Sequence, residues 1–335
     1  MARVTINDVA QLAGVSISTV SRVLNGTAPV AVETVAQVRD AMEKLNYKPL
    51  AAARTLAGRR TNTVGLLVPE ITGEFFMPLL RGIEEGVQEA GLDLLVHLAS
   101  QNGDAGANPA LPLDEHNTDG LLVFTGRLAD SEIVRLCHTG IPIVLLFQST
   151  PSYTQAPSVM FENTVSTQEI VEHLIVDHGR RRIAFLSGPP QNEDSTLREH
   201  AYRAALAKHG IAFDPVLVGE GGYSHERAQI LISDWLLHGV EFDGLFAGDD
   251  SAAVGALLAL RRAGRRVPED VSLVGFDDLP FAALVDPPLT TVGAPVEAAG
   301  RAAAQLLIQQ IQGRGMPLPI ELPTHVIYRQ SCGCA

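Results

Sequence analysis

Hydrophobic positions along this chain fall into two regimes. In residues 5–46 they recur three and four apart, the period of short amphipathic helices. Ile6, Val9, Ala10 and Ala13 form one stripe, with Thr5 and Asp8 at capping-box spacing and Gly14 as the stop. Ser16 caps a second helix to about residue 24, which turns Val20, Val23 and Leu24 inward and leaves Ser18, Ser21 and Arg22 outside, before Asn25 and Gly26 end it. A third helix over 32–46 buries Val35, Val38, Met42 and Leu45. Pro49 then acts as a helix breaker.

From Thr61 onward, short continuous apolar runs alternate with helical stripes. The order predicts strand 63–68, helix 77–90, strands 93–97 and 120–124, helix 130–139 and strand 143–147. A second round comes next: helix 164–177, strand 182–187, helix 197–209, strand 217–219, helix 224–238, strand 244–247, helix 251–263 and strand 271–276. Strands separated by helices of this length imply doubly wound parallel sheets with helices on both faces and a ligand crevice at the carboxyl ends of the strands. Two such halves enclose a cleft. Segment 101–117, rich in Gly, Pro, Asn and Asp, reads as loop.

The length of 335 residues exceeds one ordinary domain, and a chain 46% hydrophobic and 19% charged is neither disordered nor fibrous. No apolar run reaches the roughly 18 residues of a membrane span, and Met1 to Asn25 lacks the order of a secretory signal, so a cytoplasmic protein is expected. The three cysteines, Cys137, Cys332 and Cys334, do not make a disulfide framework. Cys332-Gly333-Cys334 has the form of a metal or redox pair. With no Cys or His cluster near it in sequence it reads as a frayed tail, and neither metal site nor cofactor is expected.

A net charge of −13 argues against nucleic acid until it is divided along the chain. Residues 1–60 carry eight basic and four acidic side chains, a net +4, which leaves −17 for the remainder. A basic head on an acidic body binds phosphate at one end and is repelled elsewhere. The head's second helix offers Ile17, Ser18 and Arg22 at its exposed start, where a major-groove helix reads base edges, and the Arg22 fork matches guanine O6 and N7. Thr5, Ser16, Thr19, Ser21 and Asn25 suit phosphate oxygens. Taken singly, each is also explained as a cap or a solvated polar residue.

The run VTINDVAQLAGVSISTVSRVLN, residues 4–25, resembles the DNA-binding signature of the lactose-repressor (LacI/GalR) family. The likeness continues through Leu45-Asn46-Tyr47-Lys48-Pro49 and Ala51-Ala52-Ala53-Arg54-Thr55-Leu56, which is similar to that family's hinge. The resemblance implies a short hinge helix that forms on DNA and wedges Leu56 into the minor groove beside Ala53; a plain linker is the alternative. Leu50 stands where the family usually caps that helix with Asn, so this hinge is expected to lean more on DNA and partner. Further runs, such as Val64-Gly65-Leu66-Leu67-Val68-Pro69 and Val267-Pro268-Glu269-Asp270-Val271-Ser272, resemble the family's core, which is similar to a periplasmic sugar-binding protein with three crossovers.

Carried over, the resemblance implies effector contacts at Arg198 and Asp250, an Arg and an Asp able to grip vicinal hydroxyls from two sides of a cleft; an ion pair at helix ends is the alternative. Phe75, Phe76 and Tyr223 fit either a stacking wall or plain core. Gln148 replaces the family's Asp at a strand end, and Glu162-Asn163 replaces Asp-Asn. The reading is an all-α helix-turn-helix head (1–46), a hinge (47–60) and a periplasmic-binding-protein-like α/β core (61–335). Its first subdomain takes about 61–161 and 292–322, its second about 162–291 and 323–335. The function expected is a repressor, working as a homodimer on pseudo-palindromic double-stranded operator DNA under control of a sugar-like effector. With no leucine heptads after Tyr328, nothing calls for more than a dimer. A sugar carrier is disfavoured by the head, and an enzyme by the lack of a nucleophile–base motif around Asp249-Asp250 and Asp277-Asp278.

Overall fold

The computed structural model describes residues 4–25, 28–47, 60–99, 113–114 and 117–334. The hinge segment 48–59, with Ala53 and Leu56, and most of the loop expected at 101–117 lie outside the described residues, as does the side chain of Asn25. The chain divides into two units, Met1–Thr61 and Asn62–Ala335.

The smaller unit holds α1 (Ile6–Ala13), α2 (Ile17–Asn25) and α3 (Val32–Lys44). Its core is Val9, Ala10, Val20, Val38 and Ala41, ringed by Ile6, Ala13, Val23, Leu24, Met42 and Leu45. The first helix starts where the capping pair fixes it: the Thr5 backbone N–H and hydroxyl donate to Asp8 Oδ2 at 2.7 and 2.8 Å. Gly14 ends it with φ +66°, a left-handed conformation that costs glycine nothing. The Ser16 hydroxyl accepts the Thr19 N–H at 3.2 Å and starts the second.

In the larger unit, twelve strands form two six-stranded sheets among the described residues. The first runs β11-β5-β4-β3-β1-β2, from β1 (Thr63–Val68), β2 (Asp93–Leu98), β3 (Gly120–Phe124), β4 (Ile143–Leu146), β5 (Ser158–Phe161) and β11 (Ile320–Leu322). The second runs β12-β10-β9-β8-β6-β7, from β6 (Ile183–Ser187), β7 (Val218–Glu220), β8 (Gly244–Ala247), β9 (Ser272–Asp277), β10 (Thr290–Gly293) and β12 (His325–Ile327). All pairs are parallel except β10 with β12. The chain passes between the sheets after β5, after β10 and between β11 and β12.

Helices α4 (Phe76–Glu89), α5 (Asp130–Thr139), α6 (Val165–Val176), α7 (Glu193–Lys208), α8 (His225–Leu237), α9 (Asp250–Arg262) and α10 (Val296–Ile311) complete the layers. Helix α10 and the strands β5, β10, β11 and β12 are absent from the sequence prediction. Their runs are short, or, in α10, so rich in Ala and Gly that no apolar stripe stands out; its buried face of Ala299, Gly300, Ala303 and Ala304 packs on α4. That crossing is close enough that a Cβ on Gly300 would meet Leu79 O at 2.2 Å. Helix α7 begins four residues before the expected position because the Asn192 side chain caps it, accepting the Ser195 N–H at 2.8 Å.

The chain's end departs from expectation. The tail does not fray: Ser331 and Cys332 are fully buried, and His173 and His178 stand beside Cys332 and Cys334. No sequence window joins groups so far apart in the chain, so only the packing of the last strand shows them together.

Candidate functional site

In the head, Thr5, Ser16, Ile17, Ser18 and Arg22 are at least partly exposed, as are Thr19 and Ser21. Ile17, an apolar residue 49% exposed at the start of α2, has no core role there. Ser16 Oγ lies 2.7 Å from Ser18 Oγ and 2.9 Å from Thr19 Oγ1, so these hydroxyls form one polar patch at the N-terminus of α2. Arg22 comes one turn on along the same outer face.

In the second sheet the carboxyl ends of β6, β8 and β9 hold a buried polar cluster centred on Arg198 of α7. Arg198 is 3% exposed. Its Nε donates to Asn163 Oδ1 at 2.8 Å, its Nη1 to Gly248 O at 2.5 Å, and its guanidinium lies 3.5 Å from the Phe276 ring centroid and 5.8 Å from that of Tyr223. Asn163 in turn donates to Asp194 Oδ1 at 2.8 Å. The Tyr223 hydroxyl reaches Asn192 Oδ1 at 3.2 Å, and Tyr223 adopts φ +55°.

Three carboxyls share this one guanidinium. Burial pushes Asp194 up to about 6, with Arg198 and the Asn163 amide pulling the other way. Asp249 caps α9 through the N–H groups of Ser251 and Ala252, yet burial pushes it too up to about 6. Asp277, at the end of β9 with φ +108°, is held well above the usual carboxylate range by burial, against the pull of Arg198. Its Oδ1 is buried without a hydrogen-bond partner among the described residues. The cluster therefore has more acceptors than donors and one acceptor unused, which suits a ligand rich in hydroxyl groups.

Asp250, expected to face Arg198, points elsewhere. It is 0% exposed, its Oδ1 accepts the Thr291 hydroxyl at 2.6 Å and its Oδ2 the Leu279 N–H at 2.8 Å, and burial pushes it up to about 8. A Cβ on Gly275 would lie 2.2 Å from Oδ1, so the carboxyl is sealed against the sheet. Asp249, its neighbour in sequence, is the one that shares the field of Arg198.

On the first sheet, Phe75 and Phe76 stand at the start of α4 and pack edge-on at 5.6 Å. Phe76 is core; Phe75 is half-buried and meets Phe124 and Phe147 at 6.3 and 5.6 Å. Gln148, also half-buried after β4, spans the Gly126 N–H and Asp130 Oδ1 at 3.4 Å each. One residue on, Ser149 bonds Glu193 of α7, so the two sheets' loops touch beside the cluster. Sequence reasoning misses Asp194, Asp249 and Asp277 as site residues. The available signal is their position directly after a buried strand or at a helix start, the carboxyl edge of a parallel sheet.

Comparison with known proteins adds to this geometry. Residues 5–49 match the model for bacterial regulatory proteins of the lacI family, and residues 171–332 that for a periplasmic binding protein-like domain. The chain is 35% identical over 338 residues to the HTH-type transcriptional regulator CelR of Thermobifida fusca, covering 98% of each. The chain belongs to the lacI family of regulators. Among solved structures this lacI-family chain is similar to a CelR–cellobiose complex, at 30% identity and TM-score 0.70 over 98% of this chain and 100% of that one. It is similar also to the lac repressor dimer bound to operator and the anti-inducer ONPF, at 28% identity and TM-score 0.79 over 99% of each.

Proposed function

We propose that this lacI-family regulator is a repressor that grips a pseudo-palindromic operator as a homodimer and changes its grip when a sugar or similar polyol enters the cleft of its core. The observation that carries the effector class is the unused Asp277 Oδ1 beside Arg198, Asp194 and Asp249. Hydroxyls donate to those acceptors and accept from the guanidinium, so one vicinal diol satisfies both. A phosphate or carboxylate would add charge to a site that already has three buried acids to one cation. A relative solved with cellobiose supports the same effector class, and another solved as an operator-bound dimer supports the grip on DNA.

In this reading Ile17, Ser18 and Arg22 read base edges, Thr5, Ser16, Thr19, Ser21 and Asn25 hold phosphates, and Ala53 and Leu56 belong to the hinge. Arg198, Asp249, Asp277 and Tyr223 hold the effector in the second subdomain, while Phe75 and Gln148 close on it from the first; Phe76 and Asp250 support them from the core. Residues 61–161 with 292–322, and 162–291 with 323–335, act as the two subdomains that change angle, which couples cleft to head through differential affinity. No catalytic step is assigned, and a cytoplasmic location accords with a role on DNA. Among the described residues no helix is long and apolar enough to cross a membrane.

A thermal-shift screen of the full chain against mono- and disaccharides, polyols and sugar phosphates tests this. A neutral sugar at about 100 times its Kd adds roughly 2.7 kcal/mol, a readable shift, and the same sugar should change operator affinity in fluorescence anisotropy. A response to sugar phosphates alone would overturn the neutral-polyol assignment.

A further inference from the structure

The chain's last residues return to the second sheet and lock there. Ser331 Oγ donates to Leu273 O and Ser272 Oγ to Cys332 O, both at 2.6 Å. This places Cys332 and Cys334 against the end of α6, whose last turn carries His173, and against His178 in the loop beyond. The two imidazoles and two thiols offer four ligand atoms that all lie within 4.8 Å of one another. His173 Nε2 is 3.0 Å from His178 Nε2 and 3.3 Å from Cys334 Sγ, and His178 Nε2 is 3.6 Å from the same sulfur.

His173 Nδ1 lies 2.7 Å from Asp177 Oδ2, so a neutral ring carries its proton on Nδ1 and turns the Nε2 lone pair into the cluster. A carboxylate behind a histidine whose far nitrogen faces other ligands is how metal-binding imidazoles are oriented. Four-coordinate zinc takes nitrogen at about 2.0–2.1 Å and sulfur at about 2.3 Å, which spaces tetrahedral ligand atoms roughly 3.3–3.8 Å apart. The three spacings quoted need adjust by only a few tenths of an ångström to reach that. Gly333 between the cysteines has φ +114°, and a Cβ there would sit 2.9 Å from His178 Nδ1, so glycine lets both sulfurs turn to one side. The Thr290 hydroxyl, which donates to Arg329 O at 2.9 Å, also lies 3.1 Å from Cys332 Sγ.

We propose that His173, His178, Cys332 and Cys334 bind one zinc ion, which staples the chain's end to α6. Two thiols and two imidazoles are the soft set that selects zinc over magnesium or calcium, and four protein ligands leave no open position, so the ion is structural and not catalytic. Each thiol that binds the ion gives up its proton to the buffer, with no change in oxidation state. The site shares no residue with the Arg198 cluster, and the regulatory reading does not depend on it.

Elemental analysis of untagged, freshly purified full-length protein, with cobalt substitution of the chelator-treated protein, tests the site. The expected result is about one zinc per chain and, with cobalt, thiolate-to-metal charge transfer together with tetrahedral d–d bands. Cys334→Ser and His178→Gln should lose the zinc, Cys137→Ser should keep it, and Asp177→Asn should weaken binding about 10–100-fold. Should the ligand variants fail to fold, the cobalt spectrum of the unaltered protein still decides. Reduced protein that holds no zinc and gives no tetrahedral cobalt bands would overturn the proposal, as would a Cys332–Cys334 disulfide in protein purified without oxidant.

Discussion

Glu193, the first residue of α7 beside the second sheet, accepts the backbone N–H of Ser149 at 2.7 Å and the Ser149 hydroxyl as well, from the loop after β4 of the first sheet. The carboxylate sits at a helix N-terminus, which favours its charge, and the bond joins the two halves beside the Arg198 cluster. Glu193→Ala removes both acceptors of a partly exposed bridge, a loss of about 1 kcal/mol. If the bridge holds the halves closed on ligand, effector affinity by calorimetry falls about fivefold. Unchanged affinity would show that closure does not use it.

As the effector contact proposed above, Asp277 would exchange stability for binding. Its buried carboxyl stands with those of Asp194 and Asp249 around one cation, and its Oδ1 has no partner among the described residues. Asp277→Asn should therefore raise the melting temperature of the ligand-free protein, by about 2–4 °C for each kcal/mol relieved, while weakening effector binding about tenfold or more. A variant that melts lower and binds normally would refute both halves of this account.

Asp250 predicts a pH dependence of stability. Burial, outweighing donation from Thr291 and Leu279, raises this carboxyl to about 8, so the folded state prefers the protonated form more than the unfolded chain does. A raised acid contributes stability that is fully present below the unfolded value, near pH 4, and is lost as pH rises through about 8. Melting curves should show the natural protein losing more stability between about pH 5 and pH 8 than Asp250→Asn, which cannot ionise. Parallel curves for the two proteins would rule out this residue as the source.

In the head, Thr5 and Arg22 should separate stability from reading. Thr5→Ala removes a hydroxyl bond to Asp8 and should cost about 1 kcal/mol of head stability. Arg22→Ala should leave the melting of the head unchanged, because the side chain lies on the outer face, and abolish discrimination between operator and random DNA while salt-dependent binding persists. Discrimination that survived in Arg22→Ala would move base reading to Ile17 and Ser18.

Local chemistry is legible along the chain without any structure. The Thr5–Asp8 pair and Gly14 set the ends of α1, hydrophobic spacing marks the three head helices, and alternation of apolar runs marks most strands of both sheets within a residue or two. The helix expected at 197–209 is present and carries Arg198. The direction in which neighbouring groups face is a matter of packing and is visible only in the folded molecule. In Asp249-Asp250, one carboxyl caps α9 toward Arg198 and the other turns to Thr291; in Asp277-Asp278, one keeps an oxygen without a hydrogen-bond partner among the described residues and the other pairs with Arg329 at 2.6 Å. Adjacent residues at a strand or helix start differ in direction by the pleat or the helical turn, so their roles depend on where distant chain segments have packed. The same holds for His173, His178, Cys332 and Cys334: their chemistry can be read from residue types alone, but their meeting depends on β12 pairing with β10 and carrying the chain's end back across α6.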